Sequence, residues 1–135
     1  MNIAVRYYTR SGNTEKLAKA IANALDVQAE SIEKKLTEKA DVLFLGCSYY
    51  AFDVDEEVKK YIVENKESIG KIICFGTSAM MKSVHKPMKT AADAAGVTLS
   101  AEEFHCRGAF GLLNKGRPNA KDLQKAAEFA KNAVK

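Results

Sequence analysis

The run Ile3-Ala4-Val5-Arg6-Tyr7-Tyr8-Thr9-Arg10-Ser11-Gly12-Asn13-Thr14 decides the fold, because it passes from a short apolar stretch through a polar turn into a helical pattern. Residues 3–8 are nearly all apolar or aromatic, which suits a strand covered on both faces. After Thr14, Leu17, Ile21 and Leu25 recur every four residues and mark the buried stripe of a helix. Between the two, Thr9, Ser11 and Thr14 place three hydroxyls within six residues, and Gly12 lets a ligand approach the backbone closely. The first amides of a helix have no partner within the helix, so such a turn makes a natural cradle for an anion. A plain helix cap also uses Ser, Thr or Asn. One cap needs one such residue, and this turn supplies four.

Outward from this turn the alternation repeats. Residues 42–47 and 72–75 read as buried strands, and 27–32 and 98–106 as weaker ones. Val58, Tyr61 and Ile62 follow Asp55-Glu56-Glu57, an acidic start that complements the positive end of a helix dipole. A further helix is predicted over 83–95, with Pro87 in its first turn, where a missing N–H costs least. Leu123, Ala126, Ala127, Ala130 and Val134 share one face of a last helix, with Asn119 as its N-cap. A short helix over 33–39 completes the series. Five strands alternating with helices predict an α/β fold, a three-layer doubly wound parallel sheet forming one domain over residues 1–135. Ligands on such sheets bind beyond the carboxyl ends of the strands, where the strand order reverses. The turns after the first, third and fourth strands are therefore the candidate site.

At 135 residues, 47% hydrophobic and 28% charged, with two prolines, the chain has the make-up of an ordinary globule that can bury a core without staples. Its N-terminus lacks the basic-then-apolar layout of a secretory signal, and no apolar run approaches the roughly 20 residues needed to cross a bilayer. Cys47, Cys74 and Cys106 are an odd number without a C-x-x-C pair, which argues against a disulfide framework or a zinc site and fits a cytoplasmic location. The formal charge of +4 raises the question of nucleic acid. Lysines interleaved with acids, as in Glu56-Glu57-Val58-Lys59-Lys60, read instead as solvated helix faces, and no stripe mixes basic with exposed aromatic residues. Nucleic acid and membrane insertion are not expected.

Several phosphate-handling classes are excluded by what the first turn lacks. No lysine follows Gly12 at the nucleotide-hydrolase spacing, and the Gly-x-Gly-x-x-Gly fingerprint is absent. No cysteine sits in the turn as a thiol nucleophile. The loop is suited to hold a phosphoester without cleaving it. Thr9-Arg10-Ser11-Gly12-Asn13-Thr14 resembles the Thr/Ser-x-Thr/Ser-Gly-Asn-Thr phosphate loop of flavodoxins. Two longer stretches, Ala40-Asp41-Val42-Leu43-Phe44-Leu45-Gly46-Cys47-Ser48-Tyr49-Tyr50-Ala51-Phe52 and Lys71-Ile72-Ile73-Cys74-Phe75-Gly76-Thr77-Ser78, are similar to that family's third and fourth strands with their loops. Gly116-Arg117-Pro118-Asn119 is also familiar from its short members. The resemblance covers the whole chain and implies strand order 2-1-3-4-5 and non-covalent flavin mononucleotide (FMN).

It also implies a set of cofactor-binding residues. Thr9, Arg10, Ser11, Gly12, Asn13 and Thr14 take the FMN phosphate, with Arg10 either neutralising it or pointing into solvent. Ser48, Tyr49, Tyr50, Ala51 and Phe52 follow the third strand. Tyr50 there holds the position that flanks the flavin ring, while Tyr49 and Phe52 either touch the ring or fill core. Gly76, Thr77, Ser78, Ala79 and Met80 offer partners to the ring edge and ribityl chain. This loop continues into Met81 and Lys82, without the aromatic plate and acids of many flavodoxins. The three cysteines are read as buried packing residues, and His85 and His105 as surface or capping residues. No residue is assigned a catalytic role and none a metal.

The expected function is an electron carrier between redox partner proteins. Its basic balance favours partners with acidic docking surfaces. A small FMN-dependent NAD(P)H:quinone or acceptor oxidoreductase and a docking module for a larger redox enzyme are the two alternatives.

Overall fold

The first strand, β1 (Ile3–Tyr7), lies inside a parallel sheet and leads through the 8–12 turn into α1 (Asn13–Ala24). The short β2 (Ala29–Ser31) pairs with β1, and β3 (Ala40–Tyr50) lies on its other side. A two-residue strand, β4 (Asp53–Val54), turns back antiparallel on the end of β3 before α2 (Glu56–Asn65). Then follow β5 (Ile69–Ser78), α3 (His85–Ala95), β6 (Thr98–Arg107) and α4 (Ala120–Ala133). This computed structural model describes residues 1–50, 53–78, 83–109 and 114–135, the side chains of 49 and 50 excepted.

The path through the sheet is β2-β1-β3-β5-β6, all parallel, with β4 attached to β3. Counting only the five parallel strands, this is the expected order 2-1-3-4-5. Register puts Tyr7 against Gly46, Ser48 against Thr77, and Ser78 against Arg107. The polar ends of four strands therefore meet along one edge.

Both faces of β3 are buried, which explains its unbroken apolar run. Leu43, Leu45 and Cys47 face α2 and α3, whereas Val42 and Phe44 face α1 and α4. Two helices, α2 and α4, are anchored at their starts by side-chain caps. The Asp55 side chain accepts the Glu57 amide at α2, and Asn119 and Asp122 form a reciprocal capping box at α4. Gly46 lies against the Phe75 ring where a Cβ would stand, so only glycine lets β3 and β5 carry that pair.

One expected element is absent. Residues 32–39 form turns where a helix over 33–39 was predicted. Leu36 is the only apolar residue of that stretch, and so short a helix with no stripe to bury is unstable in water. The connection is fixed by polar side chains instead. Arg6 Nε and the Tyr61 hydroxyl both donate to the Lys34 carbonyl (3.1 and 3.0 Å), and Asn65 Oδ1 accepts the Leu36 amide (3.2 Å). Ile32 and Leu36 complete the cover over the core.

Candidate functional site

The turn after β1 is built from glycine geometry and hydroxyl pairing. Gly12 stands at the N-cap of α1 with φ +88°, a conformation L side chains rarely adopt, and a Cβ there would meet nothing within 4 Å. The constraint is on the backbone, and the space above is free. Thr9 Oγ1 accepts the Gly12 amide at 2.9 Å and closes the turn.

Below it lies a buried triangle of hydroxyls. Thr14 Oγ1 is 2.8 Å from Ser48 Oγ and 3.1 Å from Thr77 Oγ1, and Ser48 and Thr77 are 3.2 Å apart. Each hydroxyl can donate once and accept once, so the three satisfy one another away from water. They tie the first turn of α1 to the carboxyl ends of β3 and β5. Thr77 is 1% exposed, so its hydroxyl supports the turn from beneath. The Asn13 amide group reaches across to the Ala109 carbonyl (3.0 Å), and the Gly108 amide donates to the Ser78 carbonyl (3.0 Å). A Cβ on Gly108 would stand 2.9 Å from Asn13 Nδ2 and 3.1 Å from Thr77 Cβ. The segment after β6 thereby joins the site. Gly108 and Ala109 were missed in the sequence; the sign of them was a glycine directly after the last strand.

The consequence for α1 is direct. No side chain caps it, and among the described residues nothing accepts from the amides of Asn13, Thr14 or Glu15. The hydroxyl-rich turn does not work as a plain cap. Its side chains brace the loop, and the helix keeps a positive, unanswered N-terminus.

The Arg10 side chain is 55% exposed. Its guanidinium bonds Asp55 Oδ2 through Nε (3.2 Å) and Nη2 (2.7 Å), so it links the turn to the start of α2. A cleft of about 590 Å³ opens beside Thr9, but Glu15, Glu33, Glu57 and Glu64 line it, and those carboxylates oppose a phosphate.

The other predicted residues divide by what can be described. Ser48, Thr77 and Ser78 lie together at the strand ends. Gly76 sits there too, and a Cβ on it would collide with the Cys47 carbonyl, so strand packing already requires glycine. Tyr49 and Tyr50 lie at the end of β3, with their side chains outside the described residues, as are Ala51, Phe52, Ala79 and Met80 altogether.

His105 is corrected from a surface or capping residue. It is half-buried on β6, and its Nε2 lies 3.1 Å from Ser78 Oγ. Burial is the main cause that lowers its pKa; the Glu103 charge works against this, and the Arg107 charge adds to it. Two residues earlier, Glu103 accepts from the Ser83 hydroxyl and from the Val84 amide (3.3 Å) at the start of α3. The two ends of segment 79–82 are thus both tied to β6. His85 bonds the Ser100 carbonyl from the first position of α3 (2.9 Å).

The cysteines are inert packing groups. All three are free and buried, and burial raises every thiol, Cys74 to about 12 and Cys106 to about 11.

The sheet is doubly wound, and an uncapped, glycine-turned helix start stands at its strand-order reversal, where such folds bind their ligands. The chain belongs to the flavodoxin domain family, which it matches over residues 4–109. An uncharacterised protein of Methanocaldococcus jannaschii is 31% identical over 137 residues, with 91% of each chain covered. A flavodoxin from the domain Archaea superposes with a TM-score of 0.75 at 20% identity, over 98% of this chain and 95% of that one. The rubredoxin oxygen:oxidoreductase of the anaerobe Desulfovibrio gigas gives a TM-score of 0.72 at 14% identity, over 96% of this chain but 34% of that one. These structural likenesses speak to the fold.

Proposed function

We propose that the chain binds FMN non-covalently and passes electrons between redox partner proteins of the cytoplasm. The observation that carries this reading is the uncapped start of α1 above a braced, glycine-turned loop. The amides of Asn13, Thr14 and Glu15, with the exposed Ser11, hold the phosphate. Gly12 keeps the turn open to it, and the Thr14, Ser48 and Thr77 hydroxyls hold that turn in register with the strands. Arg10 acts at one remove, by pinning the turn to Asp55. The residues at the ends of β3 and β5, with Tyr50 foremost, flank the ring and exclude water from one side. FMN itself supplies the ability to take up two electrons and release them singly.

The visible spectrum of the purified protein, followed by anaerobic mixing with NADH and NADPH, tests this. The expected result is bound FMN that stays oxidised until a separate reductase is added. Rapid direct reduction would make the chain an NAD(P)H:acceptor oxidoreductase. Colourless protein that cannot rebind FMN would leave the docking-module role.

A further inference from the structure

The chain's positive charge is not spread evenly. Residues 107–135 contain seven of the 21 lysines and arginines but only two of the 17 acids, Asp122 and Glu128, and the preceding 106 residues are close to neutral. Some lysines elsewhere form ion pairs with nearby acids, as Lys59 with Asp53 and Glu56, and Lys89 with Asp93. Lys115, Lys121 and Lys125 are exposed, and no described acid forms an ion pair with any of them. Arg117 is answered by a two-point pair with Asp122 at 3.0 and 2.7 Å.

This basic corner has shape as well as charge. A hollow of about 300 Å³ lies between the end of β6 and the first turns of α4, lined by Phe104, Cys106, Arg107, Arg117, Asp122 and Lys125. It adjoins the cradle through the Asn13–Ala109 and Gly108–Ser78 hydrogen bonds. Among the described residues the exposed large apolar side chains, Met1 and Val63, lie outside this corner. Phe104 packs on Phe129 with ring centroids 5.8 Å apart and is not displayed for base stacking.

We infer that the corner formed by the end of β6, the 114–117 turn and the first half of α4 is the docking surface for an acidic redox partner, with the hollow receiving one of the partner's carboxylates. This rests on the carrier reading, and it gives that reading a location. Complementary charge beside the cradle steers an acidic protein to the cofactor edge and fixes its orientation.

The test is a ¹⁵N NMR titration of the FMN-saturated protein with poly-L-glutamate, its FMN occupancy read separately from visible absorbance. Amide shifts confined to residues 104–107 and 114–128 are expected, with affinity falling at least tenfold between about 50 and 300 mM salt as screening grows. Lys121→Glu/Lys125→Glu, both at exposed sites, should weaken binding at least tenfold and leave FMN affinity unchanged. Shifts centred elsewhere, or a double variant that binds poly-L-glutamate like the parent, overturn the assignment. Tighter binding to duplex DNA or to phosphatidylserine vesicles at the same salt also overturns it, in favour of phosphodiesters. The same titration on flavin-free protein reads the surface alone, so loss of FMN binding and loss of docking are seen separately.

Discussion

The turn after β1 and the connection after β2 lie near each other on the carboxyl side of the sheet, yet they treat their polar groups in opposite ways. In the 32–39 connection, buried side chains come from three sides to meet the backbone. Lys34 O takes both Arg6 and Tyr61, Leu36 N goes to Asn65, and Ile32 N to Tyr7 O. In the 9–14 turn the side chains brace one another and the neighbouring loop, while three successive amides of α1 find no described acceptor. A loop whose polar groups are met from inside the protein serves the fold. One that keeps donors aimed outward from a rigid frame is prepared for a ligand.

Mutations that act on one loop and not the other can break this contrast. The largest effect is expected from Gly12→Val, since a β-branched residue is strained at φ +88° and must move the turn. FMN affinity, measured by fluorescence titration, should fall roughly 100-fold, or about 2.7 kcal/mol. Thr14→Val removes two sides of the hydroxyl triangle and leaves Ser48 and Thr77 with each other. It should cost about 1–3 kcal/mol in a denaturant titration and weaken FMN as well. Tyr61→Phe acts only on the other loop. A loss of roughly 1 kcal/mol of stability is expected, with FMN affinity within about twofold of the parent. If Tyr61→Phe weakened FMN as strongly as Thr14→Val, the two loops would not be functionally distinct.

The smallest expected effect is a pH dependence. Burial lowers the pKa of His105, so the unfolded chain binds a proton that the folded chain resists. Stability from this source is complete above the ordinary imidazole value of about 6.5 and is lost as pH falls below it. His105→Asn should therefore flatten the change in denaturation midpoint between pH 7.5 and 5.5. An unchanged slope would show that the Ser78 contact holds the ring without burying its charge.

Much of this was legible in the sequence. The apolar runs of β1, β3 and β5 are continuous because both sheet faces are covered, and such runs announce themselves. The cradle was legible because Gly12 and its hydroxyl neighbours have a local purpose. What was not legible depends on partners distant in the chain. The 33–39 stretch looks helical by composition, and nothing local says that Arg6, Tyr61 and Asn65 will bind it as turns. Arg10 finds Asp55, 45 positions away, and His105 finds Ser78 only when β5 and β6 pair in register. The excess charge of residues 107–135 is visible in composition, but the meeting of α4 with the end of β6 requires the fold.

The most direct test of the cradle is the affinity of flavin-free protein for FMN beside that for riboflavin, which differs only in lacking the phosphate. A turn that works through the phosphate predicts FMN at least about 100-fold tighter, a difference of roughly 2.7 kcal/mol, with inorganic phosphate competing for the same amides. Equal affinities for the two flavins would contradict it.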